Sequence, residues 1–491
     1  MFGWGIVAPK SPDIAAFKKN LESAESWLSA FEGFGPNNFL VGVPEFQFSD
    51  YQNWIEERFA PRHFQKLKEK MDWPAQYAMG SFIQALGQNP GMERELQDLA
   101  QQAHVYVGTG VGSLDTISKA SIRLVEAQRR WNAFWAKPEN NSARRKAGAE
   151  QDGNDEEWMA RSPELAEYLA DLAEIENLGI EGKIEAGKLH AIREKEKRRT
   201  KLQEKWNAPE PPWTVSADVI WNIHNTPAAQ ISILGKIKGL TFAPVAACST
   251  FGVALRLAMR AIQTGDAKAV VVGATDPPPH PLLVGAFYTA RVLSAAGNVS
   301  VPLTRLQGTH VAGGAVTWIV GDFDYMTAKG FRPLGMEPLG VGVSSDAEHI
   351  ITPSIEGPKA AIWGALEDAG AKPENLASWD LHATATPGDF SGIATFRSIF
   401  PGPVVIAARK GTFGHGMSAG GGWELTAQYL GYEQGRLFPT PLKQDELNES
   451  IRQVHERFVF EAACDTPPGL AGKLSMGIGG INACVISRPL R

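Results

Sequence analysis

Short apolar runs alternate with helical patterns along this chain, and this alternation constrains the fold more than any other feature. Residues 105–108, 269–273, 315–320, 404–408 and 483–487 have the length and apolar character of buried strands. Apolar residues at helical spacing occupy 13–31, 73–86, 254–263, 357–369 and 422–432. Strands that alternate with helices are typical of layered α/β proteins, so we predict an α/β fold.

A charged segment from about 113 to 212 interrupts the alternation. Arg, Lys and Glu dominate it, most densely at 193–199. Ser162 followed by Pro163 has the pattern of a helix start, and one apolar face then follows at Leu165, Leu169, Leu172 and Ile175. Because acidic residues interleave the basic ones, we interpret the segment as a helical insertion, a solvated arm or a dimer-covering flap, rather than a nucleic-acid-binding element.

Composition excludes several classes of protein. The 491 residues, 43% of them hydrophobic, suffice for one large α/β unit or two similar halves, and a formal charge of −6 gives no sign of a nucleic-acid partner. The 3 cysteines form neither a disulfide framework nor the paired spacing of a zinc site, and we expect no metal. No stretch has the length of a membrane span, and the first residues do not read as a signal peptide. We therefore expect a cytoplasmic protein.

Cys248 is the strongest candidate for chemistry. It lies between the apolar run 240–246 and the helical pattern 251–263, and hence at or near a helix N-terminus. Unpaired N–H groups and the helix dipole there favour a thiolate and can hold an oxyanion. A small buried cysteine that fills a strand–helix corner is the alternative that this window alone leaves open.

Two of the 10 histidines lie in loops that follow predicted strands. His382 lies in 379–389, where a strand ends in a turn rich in hydroxyls, Pro and Gly, and His415 lies in the Gly-rich loop 410–422. Loops at strand ends carry chemistry in such folds because a rigid sheet orients them. Two such histidines downstream of a helix-start cysteine indicate an active site.

Four motifs together carry a resemblance to a known family. They are Ala-Cys-Ser at 247–249, His-x-Thr-x-Thr-Pro-Gly-Asp at 382–389, Lys-x-x-x-Gly-His at 410–415 and Gly-x-Gly-Gly-x-Asn at 477–482. The combination resembles the β-ketoacyl-acyl carrier protein synthases of the Cys-His-His type, which are decarboxylating condensing enzymes with a thiolase-like fold. The resemblance implies a five-layer α/β/α/β/α sandwich of two similar halves, here 1–325 with the insertion and 326–491. It also implies a homodimer, with a heterodimer left open.

The resemblance implies an acyltransferase of fatty acid or polyketide synthesis and assigns roles to five residues. Cys248 would accept an acyl group from an acyl carrier protein or coenzyme A thioester. His382 and His415 would promote decarboxylation of a malonyl thioester and stabilise the enolate. Lys410 would organise the site electrostatically, and the backbone N–H groups of Cys248 and Ile478 would form the oxyanion hole. The substrates would be carried on phosphopantetheine, and no further cofactor is implied.

The turn after His382 departs from the family pattern. Ala383 and Ala385 replace two glycines. We expect this change to tighten the turn where the pantetheine arm would pass between Thr384 and Thr386.

Two further departures concern charge and gating. Gly392 stands where the family has an acidic residue, so we expect Asp389 to replace it as the partner of Lys410. Met476 and Ile478 stand where the family often has aromatic residues, which alters the predicted gate to the acyl site.

Partner and function alternatives remain open at this stage. The basic run Arg62, Lys66, Lys68 and Lys70 is either a docking surface for an acidic carrier protein or a solvated helix face. An acyl-Cys transferase or hydrolase on the same fold, without decarboxylation, is one rival function. A non-catalytic subunit similar to the chain-length factors is the other.

Overall fold

The computed structural model describes residues 1–148, 152–179 and 184–490. The strands are β1 (Gly3–Val7), β2 (Ser29–Ala30), β3 (Leu40–Val41), β4 (Ala103–Gly108), β5 (Thr241–Phe242), β6 (Ala269–Asp276), β7 (Gly314–Gly321), β8 (Met336–Ser345), β9 (Leu376–Asp380), β10 (Val405–Ala407), β11 (Arg436–Leu437), β12 (Arg457–Phe458), β13 (Cys464–Asp465), β14 (Leu470–Gly477) and β15 (Ile481–Pro489). The α-helices are α1 (Ile14–Asn20), α2 (Gln52–Glu56), α3 (His63–Lys70), α4 (Trp73–Gly87), α5 (Met92–Asp98), α6 (Leu114–Ala136), α7 (Ser142–Ala147), α8 (Asp155–Ala160), α9 (Pro163–Glu176), α10 (Ile184–Trp206), α11 (Asp218–Trp221), α12 (Thr226–Gly235), α13 (Thr250–Gln263), α14 (Pro281–Thr289), α15 (Phe323–Ala328), α16 (Glu356–Asp368), α17 (Gly388–Ile399), α18 (Lys410–Phe413) and α19 (Met417–Gln434).

The chain forms two compact units, and the larger one combines Met1–Asp115 with the chain from Trp221 onward. Its two main sheets have the strand orders β1-β7-β6-β4-β5 and β12-β10-β9-β14-β15-β8. Helices α4 and α12 cover the outer face of the first sheet, α13 and α19 lie between the sheets, and α16 and α17 cover the outer face of the second. This order confirms the five-layer α/β/α/β/α sandwich. The predicted boundary at 325/326 lies between β7, of the first sheet, and β8, of the second, but it cuts α15, whose Met326 packs in the core of the first sheet.

Strands β4 and β6 and most of α19 are buried because both of their faces are covered. Every residue of β4 and β6 is buried, which explains why their sequences are continuous apolar runs rather than alternating ones. Helix α19 is buried from Met417 to Gly431 and begins with small residues. A Cβ at Gly422 would lie 2.5 Å from a Val316 methyl carbon, so the close packing of α19 on the first sheet requires glycine there.

Two predicted elements are wrong in extent. The helix predicted over 13–31 ends at Asn20, because the Trp27 N–H donates to Thr412 O and the Trp27 ring packs against Phe17 and Phe413. The strand predicted within 240–246 pairs only at Thr241–Phe242. Pro244 follows and has no N–H with which to extend the ladder.

The smaller unit, Thr116–Ile220, is helical where the structure describes it, and the sequence prediction gives the insertion as about 113–212. Ser162 caps α9 as predicted, since its side chain accepts a hydrogen bond from the Leu165 N–H at 3.2 Å. The core of this unit is aromatic and contains Trp131, Trp135 and Tyr168. The predicted apolar face of α9 is wrong at Leu169, which is 42% exposed.

A membrane-spanning helix is absent from the described parts of both units.

Candidate active site

Cys248 lies in a tight turn that immediately precedes α13. The turn is a 3-10 segment at Ala247–Ser249, and the backbone φ of Ala247 is +47°, a left-handed conformation that is strained for alanine. The Thr250 hydroxyl stabilises the turn by accepting from the Ala246 N–H at 3.0 Å and donating to Ala247 O at 2.8 Å. The turn therefore fixes the sulfur at the start of a buried helix.

Burial controls the ionisation of this thiol. Cys248 is 5% exposed, and burial raises its pKa to about 11. The Ile478 N–H and the Lys410 ammonium act in the opposite direction on this pKa without overcoming burial. The expectation that the helix start favours a thiolate is therefore wrong for the free protein, because burial raises the thiol pKa more than the neighbouring N–H groups and the ammonium lower it.

A glycine brings the end of β14 against the cysteine turn. A Cβ at Gly477 would lie 2.8 Å from Ala246 O and 3.3 Å from Cys248 N, so a side chain there would push the two segments apart. The close approach directs the Ile478 N–H at the Cys248 sulfur, and the Cys248 N–H also interacts with it. Two backbone donors therefore converge where an acyl carbonyl oxygen would lie.

His382 and His415 face each other edge to face, with ring centroids 5.5 Å apart and an interplanar angle of 84°. His415 Nδ1 accepts from the Met417 N–H at 3.1 Å, so Nε2 carries the proton of the neutral ring. His382 Nδ1 is buried without a hydrogen-bond partner among the described residues. Burial, with a contribution from Lys410, lowers the pKa of His415 to about 3 and that of His382 well below its ordinary value. Both imidazoles are thus neutral at physiological pH.

Lys410 lies behind the histidines in a buried cluster of charged residues. Its Nζ donates to Glu424 Oε1 at 2.6 Å, and Lys473 Nζ lies 2.7 Å from Glu424 Oε2. Beside them, Arg409 Nε donates to Asp380 Oδ2 at 2.8 Å. The five side chains are nearly inaccessible to solvent. We call Lys410, Glu424, Lys473, Asp380 and Arg409 the charge cluster.

Asp389 is not the partner of Lys410, and that expectation is wrong. Its carboxylate accepts from the Leu303 N–H at 2.9 Å and the Thr384 N–H at 2.8 Å. Burial raises the pKa of Asp389 to about 6. Asp389 therefore holds the turn after His382, whereas Glu424 on α19 supplies the acid that Lys410 requires.

The turn after His382 presents two hydroxyls. Thr384 Oγ1 and Thr386 Oγ1 lie 2.9 Å apart, and each can donate to the other. Ala385 between them has a φ of +57°, so the glycine-to-alanine difference leaves a strained residue in this turn.

The predicted site residues converge on one cavity of about 550 Å³. Its lining includes every predicted residue except Lys410, namely Cys248, His382, His415, Thr384, Thr386, Asp389, Met476 and Ile478. Apolar side chains contribute much of the remaining wall, among them Phe287, Val292, Leu381 and Leu474. The cavity suits an extended thioester with an apolar acyl group.

Sequence reasoning missed Glu424, Lys473 and Arg291, the last of which lines the cavity. Each of the first two is a charged residue in a buried segment that otherwise carries no charge, Glu424 in α19 and Lys473 in β14, and that charge was an available signal. It also missed the loop from Asp346 to Pro353, which lines the cavity and whose Ile350 O accepts from the Gly479 N–H at 2.7 Å.

The arrangement combines groups that suit acyl transfer and stabilisation of an enolate. A thiol lies beside two backbone N–H donors, and two neutral imidazoles share its cavity. Neutral imidazole N–H groups can donate to a thioester oxygen whose negative charge grows during reaction. A positively charged lysine is held behind them by a carboxylate.

Known proteins match this chain in sequence and in structure. A 3-oxoacyl-[acyl-carrier-protein] synthase 2 of Staphylococcus aureus is 27% identical over 272 residues, which are 52% of this chain and 65% of that protein. The chain therefore aligns with less than two thirds of that relative's length. A crystal structure of a beta-ketoacyl synthase from Burkholderia phymatum matches with a TM-score of 0.70 at 17% identity, covering 100% of this chain and 99% of the other.

A further structural match is the AntDE:AntF complex, described as a type II polyketide acyl-carrier protein with its ketosynthase. Its TM-score is 0.67 at 17% identity, and the match covers 100% of this chain and 98% of the other. At these identities the structural matches show a common fold. The fold of this chain is therefore that of the thiolase-like ketosynthases.

Two family models match the sequence directly. The beta-ketoacyl synthase N-terminal domain matches residues 176–321, and the C-terminal domain matches 337–442. Together they cover about half of the chain, and the matched ranges contain Cys248, His382 and His415. The chain belongs to the beta-ketoacyl synthase family.

Proposed function

We propose that this protein is an acyltransferase that condenses an acyl primer, held as a Cys248 thioester, with malonyl-acyl carrier protein. The product is a β-ketoacyl-acyl carrier protein for fatty acid or polyketide synthesis. One observation carries the proposal: Cys248, His382 and His415 line one cavity, with two backbone donors at the sulfur and both rings neutral.

Acyl transfer to Cys248 is the first half of the proposed reaction. The sulfur attacks the thioester carbonyl, the bond to the carrier sulfur breaks, and the proton of the thiol leaves with the carrier thiol. The N–H groups of Cys248 and Ile478 stabilise the oxyanion formed at the carbonyl. The hydroxyls of Thr384 and Thr386 are available to the pantetheine arm that carries the acyl group.

Decarboxylation and condensation form the second half. The carboxylate of the malonyl thioester leaves as carbon dioxide, and its bonding electrons pass into an enolate. His415 and His382 donate hydrogen bonds to the enolate oxygen. The positive charge of Lys410 stabilises the negative charge that develops there. The enolate carbon then attacks the acyl-Cys248 carbonyl, a carbon–carbon bond forms, and Cys248 leaves as the thiolate.

The two halves can be tested separately in single-residue variants. We expect His382→Ala and His415→Ala to suppress carbon dioxide release from malonyl-acyl carrier protein by roughly a hundredfold or more. Acylation of Cys248 should fall much less, because its oxyanion is held by backbone groups. Undiminished decarboxylation in both variants would contradict the proposed roles of the histidines. Acylation of Cys248 without any carbon dioxide release by wild type would favour a non-decarboxylating acyltransferase.

We also propose acyl carrier protein as the partner. Arg62, Lys66 and Lys68 are exposed at the start of α3 and along it, and Arg291 is exposed where it lines the cavity. An acidic carrier would be attracted to these charges, and a solved relative is described as a ketosynthase in complex with its carrier. Charge reversal at Lys66 and Lys68 should weaken the apparent affinity for the carrier; unchanged affinity would eliminate α3 as the docking surface.

We further propose that two copies of the chain associate through β5. Strand β5 is an edge of the first sheet and pairs only with β4. Leu240 and Val245 beside it are each 56% exposed, and Ile233 of the adjacent α12 is also exposed. An exposed apolar edge strand favours pairing with another chain.

We also propose a reducing cytoplasm as the location of the protein. Cys248, Cys464 and Cys484 are all unpaired, which suits a reducing compartment.

A further inference from the structure

Lys473 is a charged residue in an unusual position. It lies in the middle of β14, between β9 and β15, and is 1% exposed. The strand alternates, so that Leu474 and Met476 pack into the apolar core of the second sheet. Lys473 lies on the opposite face, which packs against α19. A lysine is almost never fully buried unless it is paired, so this position requires a compensating charge.

Glu424 of α19 supplies that charge and is shared by two lysines. Lys410 Nζ donates to Oε1 at 2.6 Å, and Lys473 Nζ lies 2.7 Å from Oε2. Lys473 also donates to Leu474 O at 2.6 Å. The Lys410–Glu424 pair is therefore completed by a second ammonium group, and the three side chains together carry one net positive charge when ionised.

We propose that Lys473 is a positioning residue that fixes Glu424 jointly with Lys410 and makes the buried charge behind His382 and His415 net positive, which favours the enolate. The inference rests on the proposed function. Asp380 and Arg409, the other members of the charge cluster, form a neutral pair, so they leave this net charge unchanged.

The positive charge of Lys473 lowers the pKa values of the ionisable groups around it. Its charge lowers the pKa of His382, of His415 and of Lys410. The charged and titratable groups that face this part of the site are Cys248, Asp276, Asp380, His382, Asp389, Arg409, Lys410, His415, Glu424 and Cys484. Loss of the Lys473 charge removes a like charge from Lys410, so the pKa of Lys410 should rise.

Lys473→Met and Lys473→Arg test this inference. Both are made in the Cys248→Ala variant, here called the parent, so that ionisation of the Cys248 thiol makes no contribution. Carbon dioxide release from malonyl-acyl carrier protein is measured from pH 7 to 10, with separate kcat and KM. We expect Lys473→Met to lower kcat by roughly tenfold, with KM little changed, and to move the alkaline loss of activity upward by roughly one pH unit. Lys473→Arg, which retains the charge, should restore the kcat and pH profile of the parent.

The outcomes separate the inference from the proposed function. An active parent with an unchanged kcat and pH profile in Lys473→Met would overturn the inference alone. Equal losses in Lys473→Met and Lys473→Arg, with lower melting temperatures and no shift in the pH profile, would assign Lys473 a purely structural role and also overturn it. No carbon dioxide release by either wild type or parent would overturn the proposed function, and the inference with it.

Discussion

Ionisation of Cys248 is opposed by its burial and assisted by two neighbours. Burial dominates and raises the pKa to about 11, while the Ile478 N–H and Lys410 act against it. The free protein therefore holds a protonated thiol, which resists adventitious oxidation and alkylation. The backbone N–H groups of Cys248 and Ile478 act most strongly when an acyl carbonyl develops charge beside them.

Alkylation of Cys248 should consequently be slow at neutral pH. Since the pKa is raised, the thiolate fraction is small below about pH 9, and the rate of iodoacetamide labelling should rise steadily from pH 7 to 10 without a plateau. At pH 8 we expect labelling roughly a hundredfold slower than that of glutathione. Lys410→Met should slow it further, because the ammonium lowers the thiol pKa. A plateau below pH 8, detected by peptide mass spectrometry at Cys248, would contradict this account.

The residues that sequence reasoning identified share a recognisable local pattern. Cys248, His382 and His415 each lie in a short motif next to a strand or helix end. The partner of Lys410 was not predictable in this way, because Glu424 is brought to it by the packing of α19 and not by sequence proximity. Asp389 had the right charge at the right distance along the chain, but its carboxylate is engaged by backbone N–H groups.

Among the secondary-structure elements, buried strands and long helices were predictable from the sequence. The points at which tertiary contacts end an element were not. Strands β4, β6, β7, β10 and β15 all form where apolar runs predict them. Helix α1 stops early because the Trp27 N–H is bound by Thr412 O of α18, a contact that no local pattern reveals. The sequence shows where alanines replace the glycines of the turn at 382–389, but it does not show that Ala385 adopts the left-handed conformation.

The strain in this turn gives a prediction about stability. Ala385→Gly removes a left-handed alanine and should stabilise the protein by about 1 kcal/mol, after allowance for the greater flexibility of glycine when unfolded. Ala383→Gly is the matched control, because Ala383 is buried in the core of the second sheet and has no positive φ. Loss of its buried methyl group should destabilise the protein by about 1 kcal/mol. Thermal melting followed by fluorimetry distinguishes them; a lower melting temperature for Ala385→Gly than for wild type would show that strain there is negligible.

At the scale of the whole molecule, α13 and α19 lie between the two sheets. The site is assembled from residues next to these helices and at the end of a strand of the second sheet. Cys248 precedes α13, whereas His382 follows β9 of the second sheet and His415 precedes α19. The family resemblance implied this five-layer arrangement, but the cavity wall from Asp346 to Pro353 depends on how β8 and its loop pack on the Gly477–Gly480 turn. No local motif specifies that packing.

Association through β5 predicts the oligomeric state and its sensitivity to mutation. Wild type should sediment as a dimer, and Leu240→Asp with Val245→Asp should give monomers, because two buried carboxylates would oppose the paired edges. Val454→Asp is the control: Val454 is 63% exposed but lies in the turn before β12 of the second sheet. A wild-type monomer, or a double variant that remains dimeric in sedimentation velocity, would exclude this interface.

The central claim, acyl transfer to Cys248 followed by decarboxylative condensation, is tested most directly by intact-protein mass spectrometry with a series of acyl thioesters. We predict one acyl adduct per chain, located at Cys248 and absent from Cys248→Ala. On addition of malonyl-acyl carrier protein, the adduct should disappear as carbon dioxide and β-ketoacyl-acyl carrier protein form together. Equal labelling of Cys248→Ala, or loss of the adduct by hydrolysis without carbon dioxide release, would contradict the account.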